Sequence, residues 1–412
     1  MASQMLYLVS LWFFNIFFIT LILAKNEYDM TIEEYVKHIN SPAVHKFQLE
    51  NGHTVLCVRY EDQVSLRAHP EWTDTKRMIN PKHKKASQVP NSVVGGRIKG
   101  CSEGTIPMLE ITYEEVKAAG SVRQFLRRDK KGLPSQPSSL NNSEGALKAE
   151  DSARHVHAIQ RWTTQQENTI VSASARFNLW APGIDSSNGI FSLGQLWFTN
   201  NSPLQTIEIG WHVDPQIYSN DPQLPHLFVY WTANGYQGTG CYNYQCSGYV
   251  GYDTQHIGPG NALYSSVYDG EQKEIYITLN QEDADGTPAY VLYIDNVKTG
   301  YWPRSLFQSL SIAANDVDMG GEVCFHDNGQ ATITEMGSGK FPSQGLGRAA
   351  YVRQIEIRDA AGDIVSQRPS TLFRNNDACY DIVPALLDSS DPYWGVHFFY
   401  GGPGASKPTC QL

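Results

Sequence analysis

With 412 residues and a formal charge of −10 at pH 7, the chain is long enough for two domains and too acidic to present the basic footprint of a nucleic-acid binder. No Cys/His group has the spacing of a zinc finger or a zincin, and no glycine-rich phosphate cradle opens a helix, so neither metal nor cofactor is expected.

Met5 to Ala24 is a nearly unbroken apolar run followed by Lys25. It reads as a secretory signal, residues 1–24, ending on a small residue. Its n-region lacks Lys and Arg, and a signal anchor is the competing reading, since about 20 apolar residues also span a bilayer. No second run of that length follows, so no membrane contact is expected after signal cleavage.

Seven cysteines in an oxidising compartment leave one unpaired within a monomer. Position groups Cys57 with Cys101, Cys241 with Cys246, and Cys379 with Cys410. Cys324 is the leftover, two residues after Glu322, and is either a small core hydrophobe or a nucleophile. Asn141-Asn142-Ser143 and Asn200-Asn201-Ser202 are glycosylation acceptors, at Asn141 and Asn200, if the chain is secreted.

Residues 25–126 form a small mixed α/β unit. Thr31 caps a helix through Asn40, Phe47 to Arg59 makes two strands about Asn51-Gly52, and Tyr113 to Leu126 is an amphipathic helix. Thr112 and Glu115 have capping-box spacing. Between these elements lies a lysine-rich, poorly periodic stretch, Lys76 to Lys85. Residues 127–154 read as a flexible polar linker, whose dibasic pairs Arg127-Arg128 and Lys130-Lys131 suit processing.

From His155 to Leu412 the pattern changes to short period-2 runs separated by Gly, Pro, Asn and Asp. Examples are Ile170 to Leu179, Leu227 to Thr232, Glu274 to Leu279, Tyr290 to Ile294 and Tyr351 to Ile357. The fold expected is an all-β, antiparallel β-sandwich of two packed sheets, or a barrel. A helical turn or two at Ser305 to Ala314 would be the exception.

Glu208 and Glu322 each interrupt an apolar, glycine-flanked strand-like run, where a carboxylate is costly unless paired, hydrogen-bonded or used. No nucleophile elbow or pair of Asp-Thr/Ser-Gly loops is present. His212, His226, His256, His326 and His397 lack metal-ligand spacing and read as structural or exposed. Trp211, Tyr230, Trp231, Tyr242, Tyr244, Tyr301 and Trp302 lie near the two glutamate motifs in sequence, either as a surface for prolyl rings or as core.

Several of these motifs occur together. Thr206-Ile-Glu-Ile-Gly-Trp-His-Val213, Tyr230-Trp-Thr-Ala-Asn-Gly-Tyr-Gln-Gly-Thr-Gly-Cys-Tyr242, Gly300-Tyr-Trp-Pro303, Gly320-Gly-Glu-Val323, Met336-Gly-Ser-Gly-Lys-Phe-Pro342 and Tyr400-Gly-Gly-Pro-Gly404 follow one another in order. In this set residues 157–412 resemble the neprosin family of plant secreted glutamic peptidases. Residues 31–126, with Cys57-Val-Arg59 and Cys101-Ser-Glu-Gly-Thr-Ile-Pro107, resemble its activation peptide. The resemblance implies a mature sandwich, jelly-roll or concanavalin-like, of two seven- or eight-stranded sheets, with Glu208 and Glu322 catalytic. It also implies a zymogen secreted to the apoplast, cell wall or vacuole, cleaving peptide or protein substrates at proline in acid and restrained by its own propeptide. Met319 stands where many members carry tryptophan, and Cys324 is an additional thiol.

Two carboxylates in one desolvated cleft would share a proton, one activating water and the other donating to the leaving nitrogen. The rival readings are a glycoside hydrolase using the same pair and a noncatalytic cell-wall or carbohydrate-binding module using the aromatics alone.

Overall fold

The structure, a computed structural model, describes residues 26–40, 42–73, 100–127, 153–164, 169–252, 258–284, 286–388, 390–406 and 410. The signal run, the lysine-rich stretch, nearly all of the linker, His256 and Asn141 lie outside the described residues.

In the N-terminal unit, α1 (Ile32–Ile39) opens with a reciprocal capping box. The Glu34 amide donates to Thr31 Oγ1 at 3.2 Å, and the Thr31 amide donates to Glu34 Oε2 at 2.9 Å. β1 (Ala43–Gln48) and β2 (Thr54–Arg59) pair antiparallel around Asn51-Gly52, with Gly52 at φ 90°. After α2 (Val64–Ala68), β3 (Thr105–Leu109) adds to β2. The Cys57–Cys101 disulfide ties β2 to the chain entering β3. The single helix expected over 113–126 is two, α3 (Tyr113–Ala118) and α4 (Val122–Arg127). They part at Gly120, whose φ of 87° is left-handed backbone that no helix interior adopts. The Thr112–Glu115 capping box does open α3.

The remainder is an antiparallel sandwich. Its strands are β4 (Ala153–Thr163), β5 (Ile170–Asn178), β6 (Gly189–Asn201), β7 (Leu204–Val213), β8 (His226–Thr232), β9 (Val250–Gly251), β10 (Glu274–Ala284), β11 (Thr287–Ile294), β12 (Val297–Pro303), β13 (Asp316–His326), β14 (Ala350–Asp359), β15 (Thr371–Arg374), β16 (Asp381–Ile382), β17 (Leu386–Asp388) and β18 (Gly395–Gly401). One sheet has six strands in the order β15-β4-β13-β6-β7-β8; the other has nine, in the order β16-β18-β14-β5-β10-β11-β12-β9 with β17 beside β18. The strand numbers implied by the resemblance, seven or eight per sheet, thus become six and nine.

Between the sheets lies a continuous apolar core that includes Trp162, Phe177, Trp211, Trp231, Tyr290, Trp302 and Tyr400. A second, smaller cluster covers the outer face of the six-stranded sheet: Ile159, Phe191, Leu193, Trp197, Phe228, Tyr230, Tyr242 and Cys324 among others. That sheet is therefore buried on both sides.

The helical turn or two expected at Ser305 to Ala314 is met in part, by one 3-10 turn, Arg304–Leu306, at its start. The carboxamide oxygen of Gln205 instead accepts from the amides of Gln308, Ser309 and Leu310 at 3.0, 2.7 and 3.0 Å, so these donors are satisfied without an intrahelical partner. Asn200 is fully buried, and Nδ2, the atom a glycan would occupy, donates to Ala313 O at 2.9 Å. It is not a glycosylation site in this fold.

The N-terminal unit packs against the segment between β8 and β9. Tyr35 Oη donates to Gln245 O at 2.6 Å and Ser65 Oγ to Tyr249 O at 2.7 Å, while Tyr28 reaches Gly240 O. β9 is the edge of the nine-stranded sheet, and the Gln63 carboxamide completes it as a neighbouring strand would. It donates to Gly251 O at 3.0 Å and accepts from Gly251 N at 2.7 Å. Beyond the edge, Tyr301 Oη contacts Tyr60 Oη at 3.0 Å and donates to Trp72 O at 2.7 Å.

Candidate active site

Residues directly opposite on paired strands point to the same face. Three cross-strand rows on the outer face of the six-stranded sheet therefore follow from its register. One row is Arg161, Asp318, Trp197, Glu208 and Tyr230; the next is Ile159, Gly320, Gln195, Gly210 and Phe228; the third is His157, Glu322, Leu193, His212 and His226. Glu208 on β7 and Glu322 on β13 thus share one face, on the two strands that flank β6. They are diagonal to one another: Glu322 lies opposite Leu193, and Glu208 opposite Trp197, four residues along β6. Both are fully buried.

Gly320 and Gly210 flank Gln195 in the middle row. A Cβ on Gly320 would lie 2.3 Å from Ala158 O, and one on Gly210 would lie 2.2 Å from Gly194 O. Both positions therefore require glycine, and the floor between the two glutamates carries only one polar side chain, Gln195.

Glu208 is held by three neighbours. Gln195 Nε2 donates to Oε2 at 3.0 Å, and Thr206 Oγ1 and Tyr236 Oη donate to Oε1 at 3.0 and 2.7 Å. Tyr236 reaches over from the loop after β8, where it sits in left-handed backbone with φ 64°. That conformation costs a residue with a Cβ about 1–2 kcal/mol. The loop imposes it: Tyr236 N donates to Thr232 Oγ1 at 3.0 Å, and Asn234 Oδ1 accepts from Gln237 N and Thr239 N at 3.1 and 3.2 Å. Burial, with the charge of Glu208 behind it, holds the Tyr236 phenol well above its ordinary pKa, so it stays a donor.

Glu322 meets histidines. His155 Nδ1 is 2.5 Å from Oε1, and His157 Nε2 is 3.7 Å from the same oxygen. Cys324 is a buried free thiol whose Sγ lies 3.6 Å from His155 Nε2. Tyr242 looks onto both glutamates. Its phenol is pushed well above its ordinary pKa by burial first, then by the charges of Asp214, Glu208, Glu322 and Cys324. The Cys241–Cys246 disulfide closes the loop that carries Tyr242, and the ring packs edge-on against Tyr230 at 4.8 Å.

At one end of the face Arg161 grips Asp318 through two bonds, Nε to Oδ1 at 2.7 Å and Nη2 to Oδ2 at 2.6 Å. Burial nevertheless raises the Asp318 carboxyl to about 6, outweighing the pull of Arg161. Among the described residues no group of three or more His, Cys, Asp and Glu side chains is arranged to hold a metal ion.

Of the aromatics expected to line a substrate cleft, the fold brings Tyr230 and Tyr242 to the glutamates. Trp211 and Trp231 stand at odd positions on the same strands as even-numbered Glu208 and Tyr230, so they point into the inter-sheet core. Tyr301 and Trp302 belong to β12 in the other sheet, Tyr301 beside the N-terminal unit. Tyr244 is buried in the main core as well. These five are not beside the glutamates. Met319 likewise lies in the inter-sheet core, so its departure from tryptophan does not alter the outer face. The residues that sequence reasoning passed over are Gln195, Tyr236, His155 and His157. The two histidines did carry a signal, since His-Val-His on a strand places both rings on one face.

The sequence profile of the Neprosin family matches residues 188–403, which include both glutamates and the loops that cover them. The chain belongs to the neprosin family. It is thus a member of a peptidase family. Among solved structures the neprosin-family chain is similar to scytalido-glutamic peptidase with a transition state analog inhibitor, at 10% identity over 61% of this chain and 100% of that one, TM-score 0.32. It is also similar to a beta-porphyranase from the human gut bacterium Bacteroides plebeius, at 8% identity over 41% of this chain and 64% of that one, TM-score 0.20.

Proposed function

We propose that this protein is a secreted endopeptidase made as a zymogen, in which Glu208 and Glu322 hydrolyse peptide bonds in acid, with cleavage at proline as the family suggests. The observation that carries this reading is the placement of two fully buried carboxylates on one sheet face, diagonal across a floor of glycines. An extended peptide laid over Gly210, Gln195 and Gly320 would have a carboxylate on each side of its backbone. One glutamate takes a proton from water as the water oxygen bonds to the scissile carbonyl carbon. The other polarises the carbonyl oxygen and gives its proton to the leaving nitrogen as the C–N bond breaks. Tyr230 and Tyr242, buried beside this floor, would offer aromatic rings suited to a prolyl ring once the loops over the glutamates are released.

The N-terminal unit, residues 25–126, acts in this reading as the intramolecular inhibitor, and residues 127–154 as the segment cut on activation. Support comes from where the unit binds. Tyr28, Tyr35, Gln63 and Ser65 grip residues 240–251, the continuation of the loops that bring Tyr236 and Tyr242 over the glutamates. Removing the unit would release those loops.

The test uses secreted protein processed at about pH 3, below the reference pKa of glutamate. Proline-containing peptides and a polysaccharide panel are offered to the wild type, Glu208→Gln and Glu322→Gln. Peptide cleavage lost in both variants is expected. Cleavage of glycans instead, or of nothing by folded and processed wild type, would overturn the reading.

A further inference from the structure

The two glutamates differ in their surroundings, and the difference assigns their roles within the proposed reaction, on which this inference rests. Glu208 accepts from three neutral groups, an amide and two hydroxyls. The hydroxyls of Thr206 and Tyr236 can donate to a carboxylate or accept from a protonated carboxyl, so this pocket accommodates either state. Glu322 instead faces imidazoles, with His155 Nδ1 at 2.5 Å and His157 Nε2 at 3.7 Å from Oε1. A cationic imidazole donates from both ring nitrogens. His155 has an acceptor for each, Glu322 Oε1 at Nδ1 and Cys324 Sγ at Nε2. The register of β4 against β13, with His155 opposite Cys324 and His157 opposite Glu322, fixes this geometry.

We propose that His155 is a positioning residue that keeps Glu322 ionised in acid, which makes Glu322 the base and Glu208 the acid, and that Cys324 anchors the far side of the imidazole. The water proton then passes to Glu322, and the proton on Glu208 passes to the leaving nitrogen. Solvent exchange returns the pair to its starting state.

The groups that face the ring from neighbouring elements include the following. On β4 the neighbour is His157, with ring centroids 6.5 Å apart; on β6 it is Phe191, at 6.0 Å, with Leu193 opposite Glu322. From the 241–246 loop comes Tyr242, kept protonated by burial, and Asp214 acts on Tyr242.

Two measurements test this. The first is the pH profile of kcat/KM on one peptide for the wild type, His155→Gln, His157→Gln and Cys324→Ser. Glutamine keeps a donor for Oε1 and removes the charge. His155→Gln should lose about tenfold or more at pH 3 while staying within about threefold at pH 5.5, with KM unchanged, because one pH unit on the acid limb is a factor of ten. His157→Gln and Cys324→Ser should shift the limb less. An acid limb left in place by His155→Gln overturns the proposal.

The second measurement needs no activity. Infrared difference spectra at pH 4, with the Glu322 band assigned through Glu322→Gln, should show a carboxylate in the wild type and a protonated carboxyl in His155→Gln. The same protonation state in both overturns it. If the infrared difference holds and no peptide is cut, the peptidase reading fails and the His155–Glu322 coupling stands.

Discussion

Gln195 donates through Nε2 to Glu208 Oε2 at 3.0 Å from the strand that lies between the two glutamates. It is the polar side chain on an otherwise glycine and apolar floor. Gln195→Leu takes this donor from a buried oxygen of the Glu208 carboxyl, on the order of 1–3 kcal/mol. The expected result is a fall in kcat of roughly 10- to 100-fold, with the circular dichroism spectrum unchanged.

Tyr236 offers a test of the loop that closes over Glu208. Tyr236→Phe keeps the ring and the left-handed backbone but loses the 2.7 Å bond to Oε1. Loss of a neutral hydrogen bond, about 0.5–1.5 kcal/mol, predicts a drop of roughly 3- to 10-fold in kcat. Tyr236→Gly should relieve the backbone strain, about 1–2 kcal/mol, while losing activity further. A thermal melt together with steady-state kinetics separates the two effects.

Asp318 predicts a particular dependence of stability on pH. Its folded carboxyl is raised to about 6 by burial, above the unfolded value of about 3.9. A group raised in the folded state contributes stability that is fully present below the unfolded pKa and is lost as pH rises through the folded one. Going from pH 4 to pH 7 should therefore cost on the order of 3 kcal/mol from this group. Urea midpoints measured across that window should fall more steeply for the wild type than for Asp318→Asn, which cannot ionise.

Asp221 works in the opposite direction at the contact with the N-terminal unit. It accepts from Asn51 Nδ2 at 2.8 Å, His53 Nε2 at 3.2 Å and His226 Nε2 at 3.1 Å. Burial opposes its ionisation, but the hydrogen bonds from His226 and His53 outweigh burial and hold the carboxyl well below the usual range. A depressed folded pKa contributes stability above the unfolded value, lost only as pH falls through the folded one. Acid at pH 3 to 4 should therefore leave this clasp closed. Asp221→Asn should weaken docking by roughly 1–3 kcal/mol, read as a lower urea midpoint for release of the N-terminal fragment at pH 5 from protein nicked between residues 128 and 152.

Much of the local structure was legible because it depends on neighbours in sequence. Thr31 as N-cap, Thr112 with Glu115, and Asn51-Gly52 each specify their element through bonds or backbone preferences within a few residues. Of the helical turn or two expected at Ser305 to Ala314, only the 3-10 turn Arg304–Leu306 forms, for a nonlocal reason. The amides of residues 308–310 are taken by Gln205, about a hundred residues earlier in the chain.

The sequence by itself determined the antiparallel sandwich, the capped helices of the N-terminal unit, and two glutamates set in apolar runs. Only the tertiary structure decided which side chains stand beside those glutamates. The six-stranded sheet is buried on both faces, so its strands read as nearly continuous apolar runs and the alternation that would separate inside from outside is erased. Tryptophans one residue from Glu208's face became core, while Gln195, Tyr236 and His155, carried by other segments of the chain, became its neighbours and those of Glu322. Strand register and loop closure made that selection, because a shift of one residue moves a side chain from one face of the sheet to the other.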